Sequence, residues 1–298
     1  MSINLLAGKI LSSFALLSLL FSLTSCAPRD IVQPPKPSAK IALVLGAGAA
    51  RGFSHIGVLK VLENNGIPVH MIVGTSAGSF VGSLSAYGFN AYQLQKMAME
   101  LQKGDVIDLT IPDNGFVKGE LLENYVNRML RNTPIEKLRT PFYAVATNVS
   151  TGEEVIFAQG NTGMAVRASS AIPGVFRQVR INGRAYVDGG VVSPVAVEAA
   201  RRFGADIVIA VDISSDLDIR VPEGTIDTIL QSVNIMYTKI AASQLARADV
   251  IVRPKVGHIG SAEFDKRHEA ILEGERAANE ALPHIKATVG RLRHEGRL

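Results

Sequence analysis

The sequence predicts one α/β domain of three layers, a mainly parallel central sheet covered by helices on both faces. Three observations carry this. Ile41-Ala42-Leu43-Val44-Leu45 is an unbroken apolar run that stops at Gly46, as expected of a strand buried on both faces. The segments that follow alternate between helical and strand-like periods, the pattern of parallel strands joined by crossovers. The 298-residue chain is 47% hydrophobic and 19% charged, enough apolar side chain for a large buried core.

The elements follow in order. After a glycine-rich turn, Ile56, Leu59 and Leu62 fall at helical spacing, with Gly66 placed to close the helix. Residues 69–73 read as a second strand ending at Gly74. A helix then starts at Ser76 and carries Gly78, Gly82 and Ala86 along one face, small enough to pack closely on a sheet. Residues 90–103 and 120–131 read as helices, the first opened by a capping box of Asn90 and Gln93. Between them Pro112-Asp113-Asn114-Gly115 marks a loop. Residues 142–148, 155–158 and 207–213 read as strands, and Arg184-Ala185-Tyr186 as a short strand leading into a turn. Residues 225–247 form a helix, 250–253 a last strand, and a C-terminal helix runs from Glu269.

The N-terminus stands apart from this pattern. Lys9 supplies a weak positive flank to an apolar run over residues 10–23. That run is short of the roughly 20 residues a bilayer span needs and fits the apolar region of a signal peptide. Leu23-Thr24-Ser25-Cys26 resembles the lipobox of bacterial lipoproteins. The resemblance implies cleavage before Cys26, the only cysteine, and acylation of its sulfur. Ala27, where Asp would retain a lipoprotein at the inner membrane, resembles the outer-membrane sorting pattern. Pro28, Pro34, Pro35 and Pro37 favour an extended tether. The expected organisation is therefore a signal peptide over 1–25, a tether over 26–39 and a folded domain over 40–298. Such a chain would be lipid-anchored in the bacterial envelope, on the periplasmic side of the outer membrane.

The formal net charge of +4 is mild for this length. It suits an anionic membrane surface but does not form the dense basic stripe of a nucleic-acid partner. No Cys/His cluster has metal-ligand spacing, so no metal is expected.

Three motifs carry candidate chemistry. Gly74-Thr75-Ser76-Ala77-Gly78 matches G-x-S-x-G at a strand-to-helix junction, the context in which such a turn lifts a serine hydroxyl into the open. The helix N-terminus beneath Ser76 favours developing negative charge. Gly46-Ala47-Gly48-Ala49-Ala50-Arg51-Gly52 occupies the preceding strand-to-helix turn, where small residues keep backbone N–H groups open to an oxyanion. A dinucleotide site is the competing reading of that turn. Arg51 stands where the third glycine should be, and the second strand ends in Gly74-Thr75-Ser76, not in a ribose-binding acid. Asp188-Gly189-Gly190 follows the short strand at 184–186. Alone it is a tight turn capped by Asp188; beside the other two motifs Asp188 becomes the leading candidate base.

Taken in order, these motifs resemble the three signatures of patatin-like phospholipases, and most closely the bacterial branch related to neuropathy target esterase. His55-Ile56-Gly57-Val58-Leu59 and Ser169-Ser170-Ala171-Ile172-Pro173-Gly174-Val175-Phe176 extend the similarity, which runs from about Lys40 to Asp212. The resemblance implies a Ser–Asp dyad without histidine, in which Ser76 attacks an ester carbonyl, Asp188 takes its proton and the Gly48 region forms the oxyanion hole. It also implies a membrane lipid substrate, a phospholipid or lysophospholipid, and no cofactor. Many family members carry a run of glycines where Ala47 and Ala49 stand here; alanine still offers its N–H if the local φ/ψ accepts a Cβ.

Alternatives remain at this level. A Ser–Asp–His triad would need a histidine after Asp188, and His258 is the best placed, whereas His55 reads as structural. A thioesterase or acyltransferase could use the same residues, and a non-catalytic envelope scaffold would need neither. Phe80, Leu84, Phe116 and Phe176 could line an acyl groove or simply fill the core.

Overall fold

The first strand, β1 (Ile41–Leu45), is buried along its whole length. Ile41, Leu43 and Leu45 face one apolar cluster, while Ala42 and Val44 face another. That alternation is the mark of a central strand between two layers. The computed structural model describes residues 37–111, 114–214 and 221–298. The expected signal peptide, Cys26 and the tether as far as residue 36 lie outside the described residues, as do Pro112 and Asp113 of the expected loop.

In chain order, β1 is followed by α1 (Ser54–Asn64), β2 (Met71–Thr75), α2 (Ala77–Tyr87), α3 (Ala91–Glu100) and α4 (Glu120–Met129). Then come β3 (Phe142–Asn148), β4 (Glu154–Phe157), α5 (Thr162–Ser169), β5 (Val179–Ile181) and β6 (Arg184–Asp188). The chain ends with α6 (Val197–Arg202), β7 (Ile207–Val211), α7 (Thr225–Leu245), β8 (Val250–Val252) and α8 (Arg267–His294). The expected elements are therefore present, 41–45 and 142–148 with the expected ends and the others with ends shifted by up to three residues. The capping box at α3 forms as anticipated, Asn90 Oδ1 accepting from the Gln93 amide and Gln93 Oε1 from the Asn90 amide, both at 2.9 Å. Helices α5 and α6 and strand β5 are additions to the sequence reading.

Strands β3, β2, β1, β7 and β8 run parallel, in that order. One face is covered by α1, α2, α3, α4 and α8, whose leucines and valines interlock with Leu43 and Leu45. On the other face, Val197, Ala199 and Ala200 of α6 and Ala241 and Leu245 of α7 lie against Ala42, Val44 and Val73. Small side chains on both sides of that second interface bring the helices close to the sheet. The fold is a mixed sheet between two helical layers.

The part of the sheet that matters for function is around β3. Residues 144–147 of β3 pair antiparallel with β4 along one edge. Its other edge is shared: β2 pairs in parallel up to Thr75 opposite Val145, and β6 pairs antiparallel from Asp188 opposite Ala146. Strands β2 and β6 thus approach the same edge from opposite directions and meet with their C-terminal ends at adjacent residues of β3. Ser76 follows the last residue of β2, and Asp188 is the last residue of β6.

Candidate active site

Ser76 sits at φ 55°, ψ −122°, outside the regions that L-residues occupy without strain. The surrounding backbone holds it there. Its amide donates to Ser169 Oγ at 2.9 Å, and its carbonyl accepts from the Ser79 and Phe80 amides at 2.8 and 3.1 Å and from Ser79 Oγ at 2.7 Å. The turn closes because Gly78 has no side chain: a Cβ there would stand 2.0 Å from the Leu45 carbonyl oxygen at the end of β1. A Cβ on Gly74 would likewise fall 2.5 Å from the Gly78 carbonyl oxygen. Thr75 fixes the strand end by donating from Oγ1 to the Ser193 carbonyl at 3.0 Å.

Asp188 is fully buried. Its amide donates to the Ala171 carbonyl at 2.9 Å and its carbonyl accepts from Thr147 Oγ1 at 2.9 Å, so the backbone around it is locked. Oδ1 accepts from the Gly190 amide at 2.7 Å, whereas Oδ2 has no partner at full hydrogen-bond geometry. Burial pushes its carboxyl from 3.8 up to about 6, held back from a higher value by the Ser76 side chain, the Gly190 amide and the Tyr237 side chain. The Ser76 side chain is thus among the groups that favour the charged carboxylate. Gly189 and Gly190 let the chain turn against β3 and α7, a Cβ on Gly189 coming within 2.2 Å of the Val145 carbonyl oxygen.

The glycine-rich turn lies beside the serine, with the Gly52 Cα approaching Ala77 so closely that a Cβ would meet Ala77 Cβ at 2.5 Å. Its amides are not equivalent. Those of Gly46, Ala47, Ala50 and Arg51 donate to the carbonyls of Val211, Pro194, Ser261 and Gly48 respectively, so of the residues expected around an oxyanion, Gly46, Ala47 and Arg51 have their amides engaged within the fold. Among the described residues the amides of Gly48 and Ala49 have no backbone acceptor, and Ala49 and Ala77 line the cavity next to Ser76. Ala49 has φ 50°, a left-handed conformation that costs a residue with a Cβ roughly 1 kcal/mol. The alanine that replaces glycine is accommodated with its N–H presented. The Arg51 side chain belongs to the scaffold: it is fully buried, donating from Nε to the Ile259 carbonyl at 2.8 Å and from a terminal nitrogen to that of Gly257 at 3.1 Å.

In front of Ser76 is an apolar cavity of about 340 Å³. Phe80, Phe116 and Phe176 are on its wall with Leu122, Ile172 and Leu230, whereas Leu84 is a core residue elsewhere. The arrangement places a candidate nucleophile, a buried carboxylate and free amides at the end of a space that accepts hydrocarbon.

A family model described as patatin-like phospholipase matches residues 43–201. The chain belongs to the patatin-like phospholipase family. The matched span includes the Gly46–Gly52 turn, Ser76 and Asp188. Among curated relatives, patatin-like phospholipase domain-containing protein 6 of Mus musculus is 37% identical over 183 residues, covering 59% of this chain and 14% of that one. An uncharacterised NTE family protein of Mycobacterium tuberculosis is 34% identical over 191 residues, 63% of this chain and 53% of the relative. The lysophospholipase NTE1 of Pyricularia oryzae is 28% identical over 281 residues, 83% of this chain and 18% of the relative. This chain therefore matches about half or less of the length of those relatives. Among solved structures, VipD from Legionella pneumophila has a TM-score of 0.48 at 16% identity, over 83% of this chain and 67% of VipD.

Neither histidine weighed from the sequence completes a triad. His258 is half exposed and its Nε2 meets Glu269 Oε1 of α8 at 2.7 Å. His55 is fully buried, its Nε2 donates to the Gly46 carbonyl at 2.9 Å, and desolvation lowers it to about 4 against the raising effect of that bond. It is a neutral prop for the glycine-rich turn. His258→Ala is accordingly expected to leave kcat/KM for a soluble ester within about two-fold of the parent, because it removes only an exposed contact with Glu269; a loss of a hundred-fold would reinstate the triad.

Proposed function

We propose that the chain is a serine acyl hydrolase that cleaves carboxylic esters of phospholipids or lysophospholipids through a Ser76–Asp188 dyad. The observation that carries the reading is the meeting of Ser76 and the buried Asp188 at the head of an apolar cavity. Ser76 Oγ bonds to the acyl carbon while its proton passes to Asp188, and the amides of Gly48, Ala49 and Ala77 hold the oxyanion. Asp188 then returns the proton to the departing alcohol. A water molecule, deprotonated by the same carboxylate, releases the fatty acid and restores Ser76. Burial of Asp188 answers the difficulty of an aspartate base, since a carboxyl near 6 accepts a proton better than one near 3.8. Names of relatives such as lysophospholipase NTE1 support the lipid substrate.

The proposal extends to location: acylation at Cys26 after removal of residues 1–25 would hold the domain at the periplasmic face of the outer membrane, where its substrates lie. Mass spectrometry of the membrane-extracted protein tests this directly, an unmodified Cys26 overturning it.

Fatty-acid release from lysophosphatidylcholine by the purified protein, run with and without a competing alcohol, tests the reaction. Free fatty acid supports hydrolysis; predominant transfer to the alcohol would make the chain an acyltransferase. The cavity supplies a second test. Leu230→Trp fills space for roughly three methylenes, each contributing about 0.8 kcal/mol when buried. The expected result is a drop of about 50-fold in kcat/KM for long-chain esters, with short-chain esters changing little. Equal losses on both would mean that acyl chains bind elsewhere.

A further inference from the structure

Tyr237, on the inner face of α7, is a buried polar side chain that the dyad as described does not use. It is only 2% exposed, and among the described residues its hydroxyl has no partner at full hydrogen-bond geometry. The ring is surrounded by Ala47, Val117, Ile172, Val175 and Val233, none of which has a side chain that can accept its proton. It approaches the Asp188 turn as closely as a ring can: a Cβ on Gly190 would stand 2.2 Å from Tyr237 Cζ and 2.6 Å from its hydroxyl oxygen. The absence of that Cβ opens the path from the phenol to the carboxylate. Asp188 Oδ2 is the matching acceptor, buried and without a partner at full hydrogen-bond geometry among the described residues, while Oδ1 is already engaged by the Gly190 amide. Two unpartnered groups of opposite hydrogen-bonding character in one desolvated space are each costly alone and satisfied together.

We propose that Tyr237 is a positioning residue of the dyad, its hydroxyl donating to Asp188 Oδ2 so that the carboxylate is held charged and turned toward Ser76. This rests on the Ser76–Asp188 reading above. Burial and the adjoining carboxylate push the phenol well above its ordinary value, so Tyr237 stays protonated and acts as a donor across the working range. The groups that act on the Asp188 charge are few: the Ser76 side chain from the β2–α2 turn, the Gly190 amide and Tyr237 from α7. No charged side chain on β3, α5 or α7 is among them, so among the described residues the phenol is the one side-chain donor apart from Ser76. During attack the Ser76 proton moves to Asp188, and the Tyr237 donation keeps that carboxylate ionised beforehand despite its burial.

The test is the acid limb of kcat/KM against pH for a soluble ester. Tyr237→Phe keeps the ring and its packing but removes the donor. The limb is expected to move up by about one unit, lowering kcat/KM about five-fold at pH 6 and less than two-fold at pH 9. Replacing Tyr237 by 3-fluorotyrosine, a more acidic phenol and a better donor, is expected to move the limb the other way. Opposite shifts from two nearly isosteric side chains are not produced by a change in packing. An unmoved limb in an active Tyr237→Phe chain, or a loss of the same factor at every pH, overturns the proposal while leaving the dyad intact. Full activity in Ser76→Ala overturns the underlying reading and the proposal with it.

Discussion

Ser76→Ala is expected to abolish ester cleavage, lowering kcat by about four to six orders of magnitude, as loss of the nucleophile does when the remaining groups act as a unit. The protein should fold normally. Ser76 holds its backbone through its amide and carbonyl, with the hydroxyl as the only part removed, and its neighbours Gly74 and Gly78 set the turn. The residual rate would come from the cavity and the free amides, which still bind and polarise an ester without attacking it. Strain bears on the same variant: Ser76 at φ 55° is as strained with alanine as with serine, so no compensating gain in stability is expected. Steady-state fatty-acid release, together with loss of labelling by a serine-reactive phosphonate, checks both the effect and its cause. A Ser76→Ala chain that is still labelled and active would move the nucleophile elsewhere.

Asp188→Asn is expected to cost about three to four orders of magnitude in kcat/KM and to make the folded state more stable at alkaline pH. Both effects come from one burial. In the parent, activity should rise with pH and reach half its plateau near 6, where the carboxyl loses its proton. The asparagine chain has no such limb. For stability the sign is opposite to that of a salt-bridged aspartate. Below pH 3.8 folded and unfolded states are both protonated and the burial of Asp188 carries no ionic cost. Between 3.8 and about 6 the unfolded chain has released the proton and the folded one retains it, so stability falls as pH rises. Above about 6 the loss is complete and amounts to about 3 kcal/mol. Asparagine avoids that loss, so denaturant midpoints of the two chains should diverge with rising pH through this window and then run parallel. A variant that is equally stable at pH 4 and pH 8 relative to the parent would show that Asp188 is not desolvated as described.

Much of this site was legible in the chain because its local parts are short and strongly typed. The apolar run at 41–45 specified a central strand, and the glycines around Ser76 specified a turn too crowded for side chains. The Asn90–Gln93 pair specified where α3 begins. What could not be read is non-local or brief. Helix α6 has six residues and α5 eight, too few turns for an apolar period to declare itself. The Arg51 side chain looked like part of an oxyanion turn because its true partners, the carbonyls of Gly257 and Ile259, lie at the far end of the sequence. Tyr237 was one aromatic within an anticipated helix. Nothing in the sequence says which face of α7 meets Gly190, and only the approach of ring to glycine singles it out.

The shared edge of β3 also implies a kind of latency. Ser76 and Asp188, the proposed nucleophile and base, are far apart in the chain and come together only when two strands of opposite direction have docked head to head on one neighbour. Asp188 stands beside the serine turn only once β6, later in the sequence, has paired with β3, a non-local contact of the kind that slows folding. On the proposed mechanism, ester cleavage would therefore require the completed sheet, and activity would report that β2 and β6 have both docked.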